Sequence, residues 1–257
     1  MTAASYAVSD TLVLALRNLK RIPRAPDLLL SFTLQPVMFV LLFTYVFGGA
    51  IATPGHDYVD FLIPGLIAQT MFFGGFVTAV GLSDDLKKGL IDRFRSLPMS
   101  RAAVLAGRTL ADVATNTLSV AVMVAVGLIV GFSFDASPFE IAAGVGLMLL
   151  FGYAFSWIFA YFALVASSGE AAQAIGFLVI FPLTFVSSAF VPIDTLPDGL
   201  RQFAEVNPFT VAVDAMRALW IGDPAGNSIW GAVVWSLGLT GLFAWLSVQR
   251  YKRTVSA

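Results

Sequence analysis

The sequence predicts an all-α integral membrane protein with six transmembrane helices in a single domain, residues 1–257. Hydrophobic residues make up 58% of the chain and charged residues 12%, whereas soluble domains carry about 25% charged residues. Six apolar stretches reach about 20 residues, the length of helix that crosses a bilayer core about 30 Å thick. What remains is too short for a soluble catalytic domain, which needs about 50 residues.

The predicted spans account for most of the chain. They are Leu28–Ile51, Asp60–Leu82, Leu110–Phe132, Phe139–Ala166, Ala171–Val191 and Ser228–Val248. Three contain an internal proline, at Pro36, Pro64 and Pro182. Neighbouring helices or side chains can satisfy the carbonyls that proline frees, so we expect kinks that act either as hinges or as fixed shape.

Basic residues are distributed unequally between the two sides that six spans define. Both termini and the connections after spans two and four hold 13 of the 15 basic residues, and only Arg201 and Arg217 lie opposite. By the positive-inside rule, both termini are predicted to be cytoplasmic.

The first predicted element is an amphipathic helix over residues 9–22, with Ser9 or Asp10 as its N-cap. Leucines at positions 12, 16 and 19 form one face, and Arg17, Lys20 and Arg21 surround the other. Two compatible interpretations stay open: an anchor on the membrane surface, and a connector that touches a cytoplasmic partner.

A charged segment, residues 84–101, joins spans two and three on the predicted cytoplasmic side. It reads DDLKKGLIDRFRSLPMSR, and we expect an amphipathic helix over Asp84–Leu97, about 21 Å long, that Pro98 ends. It is either a surface helix or a rigid lever that carries a partner's motion into the two spans.

The connection after span five, residues 192–227, is predicted to form a helical hairpin at the outer interface or dipping part-way into the membrane. Asn207 is placed as an N-cap and Pro208 as the first residue of a helix too short to cross. Thr210, Asp214 and Arg217 share one face of that helix.

Several kinds of chemistry are excluded. No P-loop motif occurs, so the chain does not hydrolyse ATP itself. Cysteine is absent and His56 is the one histidine, which argues against a metal site of the usual kind. We therefore expect no catalytic residues, no metal, no cofactor and no nucleic-acid partner in this chain.

Ionisable residues are rare within the predicted spans, and Asp60, Asp112 and Glu140 are expected near an interface. This argues against a proton- or sodium-driven mechanism, because such transport usually depends on charged residues deep in the bilayer. Aromatic residues crowd spans two and five instead. Met71, Phe72 and Phe76 lie in span two, and Phe177, Phe181 and Phe185 form a stripe on span five. The stripe serves either in packing or as a hydrophobic transport surface.

Two motifs, KKGLIDRFRSLPMSRAAVLAGR after span two and FVPIDTLPDGLRQFAEVNPFTVAVDAMRALWIG before span six, resemble the ABC-2 family of ABC-transporter permeases, in particular the daunorubicin/doxorubicin-resistance type. The resemblance implies a six-helix subunit that dimerises around a central pathway, lined largely by spans two and five. It also implies two separate ATP-binding subunits, which hold ATP and Mg, and a coupling helix after span two.

The family patterns map onto particular residues. The first pattern matches Gly89, Arg93, Leu97, Pro98, Arg101 and Gly107, and the second matches Asn207, Pro208, Asp214 and Arg217. Asp84 and Asp85 stand where relatives often have glutamate. The residues expected to couple to the ATPase are Arg17, Asp85, Gly89, Leu90, Arg93, Phe94 and Arg101.

The leading hypothesis is the permease subunit of an exporter in a bacterial plasma membrane, moving an amphiphilic drug, antibiotic or lipid-like compound. A self-contained ion-coupled carrier and a non-transporting membrane anchor for a cytoplasmic protein are the alternatives. The sequence does not decide the cargo, nor whether the second permease is an identical copy or a paralogue.

Overall fold

Helices form the framework of the protein in the computed structural model, which describes residues 3–21, 26–49, 51, 53, 55–87 and 101–254. We number the α-helices of these residues in chain order. They are α1 (Ala3–Arg21), α2 (Pro26–Leu42), α3 (Tyr58–Lys87), α4 (Arg101–Ile129), α5 (Pro138–Val165), α6 (Gly169–Phe185), α7 (Asp198–Val206), α8 (Pro208–Trp220) and α9 (Ser228–Thr254). A π-helical turn, Phe43–Phe47, extends α2, and a 3₁₀ turn, Ile193–Thr195, precedes α7.

Helix α5 forms the centre of the bundle. It packs most extensively against α9 and α3, and it also contacts α4, α6 and α8. Phe159 of α5 is fully buried and fits between α3 and α6, because Gly75 and Gly176 leave room for its ring. Glycine in two neighbouring helices therefore sets how closely the central layer packs.

Four helices of the described residues are long and apolar enough to cross a membrane. They are Tyr58–Lys87, Ala103–Ile129, Pro138–Val165 and Ser228–Tyr251. The first and fifth predicted spans correspond to shorter apolar helices, Thr33–Phe47 and Gly169–Phe185. The 17 residues of α6 measure about 25 Å at 1.5 Å per residue, less than the thickness of the hydrocarbon core.

Helix α6 ends at Phe185, whereas the sequence predicted a span reaching Val191. Pro182 lies inside its last turn, and the side-chain amide of Asn207 donates to the carbonyls of Leu183 and Val186, both at 2.7 Å. Carbonyls at a helix end need such partners, so Asn207 stabilises the early end of α6.

Helix α1 begins at Ala3, so the predicted N-cap at Ser9 or Asp10 was wrong: both residues lie inside the helix. Alanine at positions 3 and 4 favours the longer helix. Leu14 and Ala15 are buried, while Leu12 and Leu16 are more than half exposed. The predicted leucine face is therefore not the face that packs within the chain.

Helix α3 continues through Lys87, so Asp84 and Asp85 belong to the helix of span two and do not begin a separate one. The expected coupling positions Gly89, Leu90, Arg93 and Phe94 fall outside the described residues, as do Leu97 and Pro98. Arg101 begins α4, and its side chain is also outside the described part.

Two helices follow the end of α6, as predicted for residues 192–227. The Asn207 side chain accepts a hydrogen bond from the backbone N–H of Phe209, and Pro208 is the first residue of α8, so both parts of the predicted helix start are confirmed. Helix α8 ends at Trp220 and packs against α9, α5 and α3. Most of α8 is buried within the helix bundle, and it does not lie on the surface of the chain.

Candidate transport groove and partner-coupling face

A groove with phenylalanine walls runs between α2, α3 and α6. Its cavity measures about 230 Å³. It is lined by Phe39, Phe43, Gln69, Phe72, Phe73, Phe177, Phe181, Thr184 and Phe185. We call this the aromatic groove. It brings the predicted stripe of span five together with Phe72 of span two.

The stripe on α6 forms one wall of the aromatic groove. Ring centroids of Phe177 and Phe181 lie 5.0 Å apart, and those of Phe181 and Phe185 lie 4.3 Å apart. All three side chains remain nearly half exposed within the chain. A continuous row of accessible phenyl faces can bind apolar or planar aromatic compounds.

The predicted residues of span two divide between the groove and the core. Phe72 lines the groove but is 2% exposed, and its ring contacts Phe159 and Phe209 of the core. Phe76 lies in an adjoining groove beside Phe177. Met71 is fully buried near Asn116 and Gly152, so the structure does not bring it to the groove.

The predicted pathway residues did not include five residues that line the groove: Phe39, Phe43, Gln69, Phe73 and Thr184. Phe39 and Phe43 have the same four-residue spacing as the α6 stripe, a signal that could have identified them. Gln69 and Thr184 are buried polar residues in an apolar wall. The hydroxyl of Thr184 has no hydrogen-bond partner within the described residues, which is costly for a buried polar group.

Phe190 packs against two of the phenylalanines that line the aromatic groove. Its ring stacks on Phe43 with centroids 4.9 Å apart and lies 5.5 Å from Phe185. Phe190 follows the non-helical segment that leaves α6, and Ala189 of this segment lies directly against Gly65 of α3.

Arg217 of α8 holds this segment to α3. Its Nε and Nη2 donate to the carbonyl of Phe61 at 3.1 and 2.8 Å, and Nη2 also donates to the carbonyl of Ser188 at 2.8 Å. The guanidinium lies over the Phe61 ring, 3.5 Å from its centroid. Burial lowers the pKa of Arg217 to about 10, so the side chain stays protonated at neutral pH.

Asp214 and Thr210 complete the polar face of α8 that the sequence predicted. The Asp214 carboxylate accepts from Ser188 Oγ at 2.7 Å and from Arg217 Nη1 at 3.3 Å. The hydroxyl of Thr210 accepts from the backbone N–H of Ser188 at 3.2 Å. We call Asn207, Thr210, Asp214 and Arg217 the α8 clasp, because together they bind the segment between α6 and α7.

At the far end of α3, Arg17 and Asp85 contact each other. Nη2 of Arg17 lies 3.7 Å from Oδ1 of Asp85. Both were predicted to contact a partner ATPase. In the chain they join α1 to the end of α3, on the side from which residues 88–100 continue.

Helix α4 carries a buried charge pair that contacts α3, in a chain whose spans were predicted to hold few ionisable residues. Arg108 Nε lies 3.8 Å from Asp112 Oδ1, and the Thr78 hydroxyl donates to Asp112 Oδ2 at 2.5 Å. Helix α4 begins nine residues before the predicted span, at Arg101, so Asp112 lies in its interior and is 5% exposed. The position of Asp112 near a membrane interface stays a prediction.

The sequence matches the family model of the ABC-2 type transporter over residues 9–220. It is 34% identical over 250 residues to the daunorubicin resistance ABC transporter permease protein DrrB1 of Streptomyces coeruleorubidus, covering 97% of this chain and 88% of the relative.

Similarity also extends to more distant proteins. The probable doxorubicin resistance ABC transporter permease protein DrrC of Mycobacterium tuberculosis is 25% identical over 238 residues, with 92% of this chain and 86% of the relative covered. The inner membrane transport permease YadH of Escherichia coli is 22% identical over 243 residues, with 90% and 92% covered.

Proposed function

The chain belongs to the ABC-2 type transporter family, and from that membership we propose that it is the permease subunit of an ATP-driven exporter for amphiphilic compounds. The matches confirm the resemblance that the sequence motifs predicted. Two relatives are drug-resistance permeases by name, which supports a drug, antibiotic or lipid-like cargo moved out of the cytoplasm or the inner leaflet.

The aromatic groove is the observation that carries this proposal. Its rings come from three helices, and the stripe on α6 leaves phenyl faces accessible. An apolar wall with a few polar groups is the usual composition of a small-molecule site. Phe72, Phe177, Phe181 and Phe185 therefore line the pathway, and Phe76 extends it.

Energy comes from a separate subunit in the proposed complex. Two ATP-binding subunits hold ATP and Mg and dock on the cytoplasmic side, where residues 84–101 act as the coupling segment. The Arg17–Asp85 contact supports this arrangement, because it ties α1 to the helix that leads into the segment. A second permease copy or a paralogue completes the complex.

We also propose six spans, with both termini in the cytoplasm of a bacterial cell. Four long apolar helices supply four spans, and the shorter apolar helices α2 and α6 supply the others. The clasp and α7 then lie toward the outer side. Surrounding lipid contacts the exposed apolar side chains.

Transport by inverted membrane vesicles tests the proposal. We expect ATP-dependent accumulation of daunorubicin, used as a fluorescent probe, when the chain is co-expressed with its proposed ABC ATPase subunit. Phe181→Ala should lower the initial rate about fivefold, because one ring contact contributes about 0.5 to 1.5 kcal/mol. Phe139→Ala is the matched control, since Phe139 is an exposed phenylalanine on α5 outside the groove.

Equal rates in the two variants would contradict the groove assignment. No ATP-dependent accumulation of daunorubicin or of a second aromatic or lipid-like probe would contradict export. ATP hydrolysis by the complex without movement of any probe would instead support a membrane anchor.

The buried Asp112 favours one other candidate, a self-contained ion-coupled carrier, because buried carboxylates can carry protons. The contact of Asp112 with Arg108 argues against a role as a proton carrier, because Arg108 stabilises the charged carboxylate. Probe uptake driven by an imposed proton gradient, without any ATPase, would support the carrier. Loss of that uptake in Asp112→Asn would identify Asp112 as the residue that couples uptake to the proton gradient.

A further inference from the structure

A second, more open groove continues from the aromatic groove toward the beginning of α6. It measures about 530 Å³. It is lined by Phe76, Glu170, Gln173, Ala174, Phe177 and Leu178. Phe177 belongs to both linings, so the two grooves form one continuous surface between α3 and α6.

Glu170 is the one ionisable side chain that lines either groove among the described residues. It lies in the first turn of α6 and is exposed. Phe177 and Phe181 follow it by 7 and 11 residues, which returns the helix to nearly the same face. The carboxylate therefore lies about 10 Å along the helix axis from the first ring of the stripe and about 16 Å from the second.

The polar groups deeper in the groove are uncharged. Gln69 and Thr184 are 6% and 3% exposed, and the Thr184 hydroxyl lacks a hydrogen-bond partner in the described structure. Charge at one end and neutral polar groups among rings at the other match an elongated amphiphile with one charged terminus. The sign of the charge at Glu170 requires that terminus to be a cation, which phenyl faces also attract.

We propose that Glu170 and the aromatic groove together form a binding site for organic cations. The planar apolar part of the compound lies on Phe177 and Phe181, and its ammonium group lies beside the Glu170 carboxylate. This inference rests on the proposed function and names the class of cargo. Neutral compounds of the same shape bind through the rings alone.

Among the described residues, Lys87 is the cation that interacts with the Glu170 carboxylate and so competes for this position. It ends α3 and interacts electrostatically with Glu170. Both side chains are exposed, so water screens their interaction and a cargo ammonium can replace Lys87 at little cost. Removing the Lys87 charge should therefore favour the cationic cargo.

The test uses two probes of one shape. Each has an anthracene joined by an alkyl chain of about 10 Å to its terminus, which is a trimethylammonium group in one probe and a hydroxyl in the other. Binding to the full chain in nanodiscs of zwitterionic lipid is measured by anthracene fluorescence polarisation, with empty nanodiscs as the blank.

We expect the wild-type protein to bind the cation more tightly than the alcohol. Glu170→Gln should weaken binding of the cation about fivefold and leave the alcohol unchanged, because only one probe loses a charge contact. Lys87→Gln should strengthen binding of the cation. Glu205→Gln, a change at an exposed glutamate of α7 paired with Arg201, is the matched control and should alter neither probe. Phe181→Ala should weaken both.

Equal affinity for the two probes, or a cation preference that persists in Glu170→Gln, would overturn the inference while leaving the groove assignment intact. If neither probe exceeds the blank, the groove is not a cargo site and the proposed pathway fails with the inference. Since the chain contains no cysteine, Phe181→Cys can then be oxidised. A disulfide between copies would show that a second permease lies against the groove.

Discussion

Arg217 places a positive charge among backbone carbonyls from two distant parts of the chain. Phe61 lies near the start of α3, and Ser188 lies beyond the end of α6. The planar guanidinium of Arg217 reaches the carbonyls of Phe61 and Ser188 at once.

Replacing Arg217 by lysine tests whether this geometry matters more than the charge. Arg217→Lys keeps the charge, but an ammonium cannot reproduce the two donors to Phe61 and the contact to Ser188. Because each buried acceptor left without a partner costs about 1 to 3 kcal/mol, we expect a loss of about 2 to 4 kcal/mol in the free energy of unfolding. Denaturant titration of the purified protein in detergent measures this loss.

Arg201→Lys is the control for that experiment. Arg201 contacts Asp194 at 2.8 Å and Glu205 at 3.2 Å, but it is 44% exposed, and exposed ion pairs contribute at most about 1 kcal/mol. Similar losses in the two variants would show that the Arg217 geometry is not important for stability.

Among single residues, local patterns predicted more than distant contacts. Asn207 and Pro208 were identified correctly because helix starts depend on neighbouring residues. The burial of Arg217 was not predicted, since its carbonyl partner Phe61 lies 156 positions away. The charge pair of Arg108 and Asp112 was missed because the span was assumed to begin at Leu110.

At the scale of elements, α1 shows how a small residue positions a whole helix. A side chain on Gly107 of α4 would meet Leu14 Cβ at 2.7 Å and the Thr11 carbonyl at 2.9 Å. The glycine therefore lets the two helices approach closely. Leu14 and Ala15 are buried in this contact, which leaves Leu12, Val13 and Leu16 exposed for lipid or a partner.

Gly107→Leu should detach α1 from α4. Overpacking costs about 1 to 3 kcal/mol, so we expect trypsin to cleave α1 at Lys20 at least about fivefold faster than in the wild-type protein. Gly146→Leu is the matched control, because a side chain at Gly146 of α5 would meet nothing within 4 Å. Unchanged cleavage in Gly107→Leu would mean that the close contact does not hold α1 in place.

Apolar runs predicted where each helix lies better than where it ends. All six predicted spans overlap helices, since hydropathy determines which segments leave water. Their ends depend on partners elsewhere in the chain, as where the side-chain amide of Asn207 donates to a carbonyl at the end of α6. Hydropathy also did not predict that α3 continues through the charged residues Asp84 and Asp85. The aromatic groove combines both kinds of information, because the stripe on α6 was visible but its facing wall on α2 was not.

Across the whole molecule, burial falls from the centre of the bundle toward α9. In the apolar 18-residue stretch of each candidate span, 72% is buried within the chain in α3 and 11% in α9. Helix α9 packs on α5 and α8 and exposes Trp230, Trp235 and Trp245. Such a face suits lipid. Trp230 and Trp245 are separated by about 22 Å along the helix axis, within the hydrocarbon core of about 30 Å.

Brominated lipids test whether α9 faces the bilayer, because bromine on an acyl chain quenches tryptophan fluorescence on contact. A variant that keeps only the α9 tryptophans should be quenched strongly, and Trp235 should respond most to bromine near the bilayer centre. A variant with phenylalanine at the three α9 positions keeps Trp157 and Trp220, which are 5% and 0% exposed, and should be quenched little. Equal quenching of the two variants would contradict the burial gradient. Protection of the α9 tryptophans would show that protein covers this face in the assembled transporter, and would place the second permease there.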